Sequence, residues 1–255
     1  MRPEIQRRLL AVNRRFYETV ADEFHRTRQG WTPGLLAILP HIPEGTKQRP
    51  ATVLDVGCGN GRLARLLEER GGHTEYTGVD QDPRLLALAR ESTAHLTRTR
   101  CRFLQADLAD PAWTQVLGRE EPHFQAVVCL ATLQHLPGYE LRRRVVRDLA
   151  RLSQEVVILS FWQFLEAARF RAKLLDWSTV GLSPQDVEPG DALLPWQQGP
   201  YAVRYVHQVD RTELERLARD AGLRIRQTFR ADGKEGNLNL YAILEPVRER
   251  REASA

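Results

Sequence analysis

The stretch VLDVGCGNG at residues 53–61 constrains the fold of this chain more than any other feature. An apolar run leads directly into Gly57, Gly59 and Gly61, and the amphipathic segment GRLARLLEERG follows. Glycine adopts positive φ without strain and lets a ligand approach the backbone closely. A tight turn that binds nothing is the alternative interpretation, but three alternate glycines behind an acidic strand residue favour a ligand-binding loop. Because the GxGxG spacing differs from the GxGxxG of dinucleotide binders, it favours an amino-acid moiety and a sugar over a pyrophosphate.

Predicted strands and helices alternate from residue 51 onward. The strands are ATVLDVG, EYTGVD, CRFLQAD, HFQAVVCLATL and EVVILSFW, and most are followed by a segment of helical periodicity. This order predicts right-handed βαβ units and a parallel sheet. The short ADGKEG link between the last two strands predicts an antiparallel C-terminal hairpin at the sheet edge. The predicted fold class is therefore α/β, with a Rossmann-like, mostly parallel seven-stranded sheet and helices on both faces.

Breaks in this alternation divide the chain into five predicted segments. The stretch GLSPQDVEPGDALLPWQQGPY within the third segment is rich in proline and glycine and predicts an ordered loop. The segments are an N-terminal helical part that covers the ligand site (1–50, with a helix over 3–28), the ligand-binding core (51–160), an insertion or lid that forms the substrate region (161–202), a C-terminal helix and hairpin that complete the sheet (203–246), and a frayed tail (247–255).

Aspartates stand at the ends of two predicted strands. A carboxylate at Asp80 can accept hydrogen bonds from both hydroxyls of a ribose, as acids do in nucleotide-binding βαβ units. Helix capping is the alternative role, and Asp82, just before Pro83, fits it better. Asp107 ends the third predicted strand, where a carboxylate can accept a hydrogen bond from the exocyclic amine of an adenine. Leu130 ends the fourth, at the sheet edge where ligands of open α/β folds bind.

His135 follows the fourth strand in a predicted helical turn. A general base, a wall facing the ligand, and a capping or packing histidine are all open interpretations of it. The sequence has no HExxH motif, nucleophile elbow, P-loop or metal-binding spacing of Cys and His. We therefore expect no metal site, and few other chemistries fit this sheet.

The composition limits where the protein acts. Three cysteines stand far apart, which argues against a secreted disulfide framework. The first residues have charges every few positions and no apolar signal-peptide core, and no run is long enough to span a membrane. We expect a cytoplasmic protein with no membrane partner. The net charge of +4 is mild and decides little about a nucleic-acid partner.

Together the glycine loop and the two strand-end acids resemble the class I methyltransferases that use S-adenosylmethionine (SAM). The resemblance covers roughly residues 51–160 and the final hairpin. It implies that SAM is the cofactor, that Asp55 orients the methionine amine through the loop, and that the Leu130 backbone lies near the sulfonium. The cofactor-binding residues that it implies are Asp55, Gly57, Cys58, Gly59, Gly61, Asp80, Gln81, Asp107, Leu108, Leu130, Tyr17 and Arg28.

Three segments outside that core resemble a narrower family, the tRNA methyltransferases that esterify 5-carboxymethyluridine at the wobble position. They are FYETVADEFHRTRQGW at 16–31, DALLPW at 191–196 and RYVH at 204–207. The likeness implies that the substrate mouth is lined by Tyr17, Arg28, Arg204, Tyr205 and His207. The sequence departs from that family in Val206, which replaces a tyrosine, and in the segment LATLQHL.

These resemblances lead to a predicted function, SAM-dependent methylation of a tRNA wobble uridine to form a carboxymethyl ester. A small-molecule SAM-dependent methyltransferase is the alternative, and a non-catalytic methyltransferase-like scaffold is a third. Either tRNA or a small-molecule acceptor is the expected partner, and related tRNA enzymes can use a small activating subunit. A carboxylate acceptor would be held by Arg28 and Arg204, whereas a hydroxyl or amine acceptor would need His135 or His207 as the base.

Overall fold

The structure, a computed structural model, describes residues 1–118 and 123–247. The frayed tail predicted at 247–255 lies outside these ranges apart from its first residue. Within them, no helix is both long and apolar enough to cross a bilayer. The α-helices are α1 (Pro3–Thr27), α2 (Pro33–Ile38), α3 (Arg62–Arg70), α4 (Pro83–Thr93), α5 (Tyr139–Leu152), α6 (Ala168–Arg171) and α7 (Arg211–Asp220). The strands are β1 (Ala51–Val56), β2 (Thr74–Asp80), β3 (Thr99–Gln105), β4 (Phe124–Leu130), β5 (Ser153–Trp162), β6 (Asp191–Trp196), β7 (Ala202–His207), β8 (Leu223–Ala231) and β9 (Asn239–Pro246).

Seven strands form one sheet in the order β3-β2-β1-β4-β5-β9-β8. The first five are parallel, and β9 runs antiparallel to both β5 and β8. The α/β fold, the seven-stranded mostly parallel sheet and the antiparallel C-terminal hairpin are therefore confirmed. The chain crosses from one side of β1 to the other between β3 and β4, and such a switch point leaves a crevice at the carboxyl ends of the strands.

Apolar cores cover both faces of this sheet. One core packs α5 and α7 against it through residues such as Val145 and Leu217. The other packs α2, α3 and α4 against the opposite face. Central strands buried on both faces read as continuous apolar runs rather than alternating ones, which is why ATVLDV and FQAVVCL stood out in the sequence.

Strands β6 and β7 form a separate antiparallel pair outside the main sheet. The prediction of a loop across the GLSPQDVEPGDALLPWQQGPY stretch is wrong for its DALLPW part, which is strand β6. Leu193 packs with Ile5 and Leu9 of α1, and Leu194 packs with Trp162 on the other side. Burial of alternate side chains on opposite faces fixes the strand in spite of its proline and flanking glycines.

Candidate functional site

A cavity of about 730 Å³ opens at the carboxyl ends of the parallel strands, beneath α1 and beside the β6–β7 pair. Most of the residues predicted to bind cofactor or substrate line it. These are Tyr17, Arg28, Asp55, Gly57, Cys58, Gly59, Asp80, Gln81, Asp107, Leu108, Leu130, His135 and Arg204. Gly61 and His207 are not part of the lining.

The loop between β1 and α3 needs glycine for two different reasons. Gly57 has a φ of +79°, and a Cβ atom there would lie 2.0 Å from the Thr132 hydroxyl. Gly59 has a φ of +53°, and a Cβ atom there would meet only the Phe24 ring, at an ordinary contact distance of 3.7 Å; Gly61, in the left-handed region, is the N-cap of α3. The loop therefore presents bare backbone at the cavity wall, as a ligand-binding turn requires.

Asp80 ends β2 beside this loop. Its Oδ2 accepts a hydrogen bond from the Gly59 N–H at 2.9 Å, and its Oδ1 accepts one from the Asp82 N–H at 3.0 Å. Burial raises the pKa of the Asp80 carboxyl. Asp82 is the N-cap of α4 and accepts from the Leu85 N–H at 2.8 Å. The assignment of capping to Asp82 is thus confirmed, and each Asp80 oxygen keeps lone pairs for a ligand.

Asp55 lies deeper, on β1. The Tyr76 hydroxyl donates a hydrogen bond to its Oδ2 at 2.6 Å. Burial raises the pKa of Asp55 to about 7, against the opposing effect of that hydrogen bond. A cationic ligand group placed beside this carboxyl would favour its ionised form.

Asp107 stands two residues beyond the end of β3, on the rim of the cavity. Its Oδ1 accepts from the Ala109 N–H at 2.8 Å, which forms a local turn. Arg14 of α1 approaches its Oδ2 at 3.2 Å. The side chain is about a third exposed, so a ligand can reach it.

His135 and Tyr17 meet at the centre of the cavity wall. The Nδ1 of His135 lies 3.2 Å from the carbonyl oxygen of Tyr205, so Nδ1 carries the proton. The Nε2 atom then accepts from the Tyr17 hydroxyl at 3.2 Å. Burial and the charge of Arg204 lower the pKa of His135 to about 4, so the ring is neutral near pH 7.

Arg204 projects into the same region from β7 and is framed by aromatic rings. Its guanidinium carbon lies 4.5 Å from the Trp162 ring centroid, 5.5 Å from that of Phe16 and 5.9 Å from that of Trp196. Its buried Nε atom has no hydrogen-bond partner within the described part of the chain. Burial lowers the pKa of Arg204 to about 10, which leaves it charged at neutral pH.

Arg28 and Arg62 place two more cations at the end of the cavity nearest the glycine loop. Arg28 is the C-cap of α1, and its carbonyl oxygen accepts from the Asn60 side chain at 3.3 Å. This contact joins the end of α1 to the glycine loop. Arg62, the first residue of α3, also lines the cavity. Sequence analysis missed Arg62, although its position directly after the GxGxG loop was a usable signal.

The structure places His207 and Tyr205 elsewhere, in a buried polar network. The His207 ring is 2% exposed, and its two nitrogens lie 2.7 Å from carboxylate oxygens of Asp191 and Glu213. The Tyr205 hydroxyl donates to Asp191 at 2.6 Å. His207 fastens the β6–β7 pair to α7 through Glu213, whereas Tyr205 joins β7 to Asp191 of β6, and neither side chain lines the cavity. Their predicted place at the substrate mouth is therefore not what the structure shows.

Part of this network has the spacing of a metal site. Ligand atoms of Glu188, Asp191 and His207 lie within 4.8 Å of one another. However, the Arg142 guanidinium already donates to Glu188 at 2.9 Å, and the ring of His207 bonds on both sides. The negative charge is thus compensated by side chains, as buried carboxylates require.

The far wall of the cavity comes from the β8–β9 hairpin, which sequence analysis did not connect with the site. Asp232, with a φ of +65°, accepts from the Tyr241 hydroxyl at 2.6 Å and from the Gly34 N–H at 2.8 Å. It thereby ties α2 to the hairpin. The signal available in the sequence was the turn between β8 and β9, since Asp232 directly follows the end of β8.

Comparisons with known proteins agree with this architecture. Residues 53–155 match the family described as a methyltransferase domain. The chain is 35% identical over 106 residues to trans-aconitate 2-methyltransferase of Streptomyces avermitilis, which is 41% of the chain and 35% of that protein. It is 29% identical over 136 residues to ubiquinone biosynthesis O-methyltransferase of Xylella fastidiosa, which is 49% of the chain and 52% of that protein.

Among solved structures, the chain is similar to magnesium protoporphyrin IX methyltransferase from Synechocystis PCC 6803 with bound S-adenosylhomocysteine. The TM-score is 0.60 at 18% identity, over 91% of this chain and 97% of that one. The two curated relatives are matched over only about a third to a half of their own lengths. The shared part is centred on the sheet and its glycine loop.

Proposed function

We propose that this chain, which carries a methyltransferase domain and has the class I SAM-dependent methyltransferase fold, transfers the methyl group of SAM to a small molecule. The observation that carries the proposal is the joint placement of the bare glycine loop and the Asp80 carboxylate in one cavity. Its volume of about 730 Å³ falls within the range of small-molecule sites.

The residues present fit SAM. The glycine loop leaves room for the methionine part, and Asp80 keeps acceptor lone pairs for the ribose hydroxyls. Asp107, which lines the cavity, would accept a hydrogen bond from the adenine amine. Asp55 faces the end of the cavity where a methionine ammonium would sit, and Arg28 and Arg62 supply positive charge for its carboxylate.

Bound SAM supplies an activated methyl group on a positively charged sulfur, so the chain's main task is alignment. Correct orientation of two reactants contributes about 7–11 kcal/mol in favourable cases. Tyr17, His135 and Arg204 line the same cavity, and in this proposal they form the wall of the acceptor side. The side chains of α1 that cover this wall shield it from water.

A small-molecule acceptor is better supported than a wobble uridine. The two curated relatives bear the names of enzymes acting on trans-aconitate and in ubiquinone biosynthesis. Of the residues that suggested the tRNA family, Tyr205 and His207 serve the buried network instead of the cavity. The aromatic residues Trp162 and Trp196 line the cavity beside Arg204.

Methyl transfer from labelled SAM tests this proposal. We expect the full chain to label a compound of low molecular weight when supplied with an extract of the source cells, and to leave deproteinised total tRNA unlabelled. Label in tRNA alone would contradict the choice of acceptor. Failure to bind SAM in calorimetry would contradict methyl transfer itself and leave the scaffold interpretation.

A further inference from the structure

Asp55 of β1 is a buried carboxyl group with a single hydrogen-bond donor. The residue is 4% exposed, and within residues 1–118 and 123–247 only the Tyr76 hydroxyl donates to its carboxyl, at 2.6 Å from Oδ2. Asp80, by contrast, accepts from two backbone N–H groups. One neutral donor compensates a buried carboxylate only in part, so the ionised form of Asp55 is costly until a cation reaches it.

The second oxygen of this carboxyl is the one that a ligand can use. No donor to Oδ1 of Asp55 is found in the part of the chain that the structure describes, and Asp55 lines the cavity together with Gly57 and Gly59. A hydrogen bond between an ammonium group and a carboxylate is roughly twice as strong as one between neutral groups. The ammonium of the amino-acid part of SAM would therefore supply the charge that this carboxylate lacks.

Tyr76 is a rigid donor to the first oxygen. It lies on β2, paired with Val53 of β1, and is 1% exposed. Its ring packs edge-on against Phe103 with the ring centroids 5.9 Å apart. Burial and the charge of Asp55 keep the pKa of Tyr76 well above its ordinary value, so the hydroxyl retains its proton. Tyr76 thus stabilises the ionised form of Asp55 and fixes which oxygen is left for a ligand.

The other titratable groups around Asp55 leave its carboxyl close to balance between its two protonation states. Burial has the largest effect on the pKa of Asp55, and among the charges Asp80 of β2 raises it while Arg62 of α3 lowers it. The thiols of Cys58 and Cys129 are neutral near pH 7, because burial raises the pKa of both. The pKa of Asp55 is about 7, so the carboxyl is partly protonated at neutral pH.

We propose that Tyr76 is a positioning residue that keeps Asp55 available as an anion, and that binding of SAM releases the remaining proton of Asp55 to water. This inference rests on the proposed function and concerns the control of that same site by pH. The O–H bond of the protonated carboxyl breaks, the proton goes to solvent, and the carboxylate and the ligand ammonium remain as an ion pair. By linkage, the affinity for SAM is full above about pH 7 and falls as the pH decreases.

Calorimetric titration of the full chain with S-adenosylhomocysteine tests this coupling without any methyl transfer. This ligand keeps both the ammonium and the ribose. We expect its Kd to rise by about tenfold between pH 8 and pH 6, because protonation of Asp55 competes with the ammonium. Binding with the same Kd at both pH values would overturn the inference and leave the proposed function standing. No binding at either pH would count against the proposed function itself.

A second ligand separates Asp55 from Asp80, whose pKa burial also raises. The compound 5′-methylthioadenosine keeps the adenine and the ribose but has no ammonium. Titrations at pH 6 in buffers of different ionisation enthalpy count the protons released by each ligand. We expect S-adenosylhomocysteine to release more than 5′-methylthioadenosine, by roughly half a proton or more per site. Equal release by the two ligands would place the proton on the ribose side and contradict the inference.

Tyr76→Phe tests the residue that the inference names. Without the hydroxyl, less of Asp55 is ionised at pH 7, so the Kd of S-adenosylhomocysteine should rise by about fivefold over wild type. At pH 9 Asp55 is ionised in both proteins, and the ratio should fall below about twofold. Asp80 titrates alike in both proteins and cancels from the ratio. Tyr201→Phe is the matched control, since Tyr201 is 62% exposed. A ratio that stays constant from pH 7 to pH 9 would show a packing defect and refute the role of Tyr76.

Discussion

At the scale of single residues, the proposed binding of SAM depends most on the carboxylate of Asp80. Asp80→Ala removes the carboxylate that we expect to bind the ribose, so SAM affinity should fall by more than about tenfold in calorimetry. Because the carboxylate also accepts from the Gly59 N–H, part of that loss would come from the loop. Asp80→Asn keeps the shape and one acceptor oxygen and should lose less. An affinity equal to that of the wild type in both variants would remove Asp80 from the site.

The raised pKa of His207 predicts that the free energy of unfolding depends on pH. Burial lowers the pKa of its ring, but hydrogen bonding with Asp191 and Glu213 outweighs burial, so the pKa lies above its ordinary value of 6.5. A raised folded-state pKa means that the stabilisation is fully present below about pH 6.5 and is lost as the pH rises through the folded-state pKa.

The measurement is urea unfolding of wild type and His207→Gln at several pH values. The difference in free energy of unfolding should be largest near pH 6 and should shrink as the pH rises, with Arg142 and Glu188 as the other charged groups of the network. His95→Gln, at an exposed position, is the control. A difference that grows with pH would show that the ring is neutral in the folded protein.

The cavity brings together more of the residues predicted to bind cofactor than of those predicted for the substrate mouth. Asp80 and the glycines follow from a local rule, because strand ends and loops in βαβ units have fixed roles. The setting of Arg204 depends on rings from α1, β5 and β6 that come together only in the folded chain. The role of His207 likewise depends on Glu213 of α7, which no motif connects with it.

At the scale of elements, one buried polar side chain adds hydrogen bonds to the apolar contacts between α1 and the β6–β7 pair. Asn13 donates to the His135 carbonyl at 3.0 Å and accepts from the Tyr205 N–H at 2.8 Å. Asn13→Ala leaves that buried N–H without its acceptor, so the free energy of unfolding should fall by about 1–3 kcal/mol. Chemical denaturation measures the change, with Asn237→Ala at an exposed position as the control. A cost no larger than that of the control would mean that α1 is anchored mainly by its apolar contacts.

Strand β6 shows why one element escaped sequence analysis. The strand is only six residues long, contains Pro195 and directly follows Pro189 and Gly190, which are typical of loops. Pairing with β7 and burial against both α1 and Trp162 stabilise it instead. The central strands β1 and β4 were predicted because burial on both faces makes their sequences continuously apolar.

At the scale of the whole molecule, the β6–β7 pair and three other parts of the chain, distant from one another in sequence, make the cavity. The parallel strands supply the glycine loop and the acids, α1 covers them, and the β8–β9 hairpin closes the far wall. A ligand that binds all three stabilises the folded state by mass action. SAM at about 100 times its Kd should therefore add about 2.7 kcal/mol to the free energy of unfolding. No change in the midpoint of thermal unfolding would contradict specific binding.

The central claim is that the glycine loop and Asp80 together hold SAM. A crystal structure of the chain with S-adenosylhomocysteine tests it most directly. We predict that the ribose hydroxyls lie within hydrogen-bonding distance of the Asp80 carboxylate, with the amino-acid end against Gly57 and Gly59. A complex with the ligand bound away from the loop, or a loop closed by side chains with no ligand present, would contradict the account.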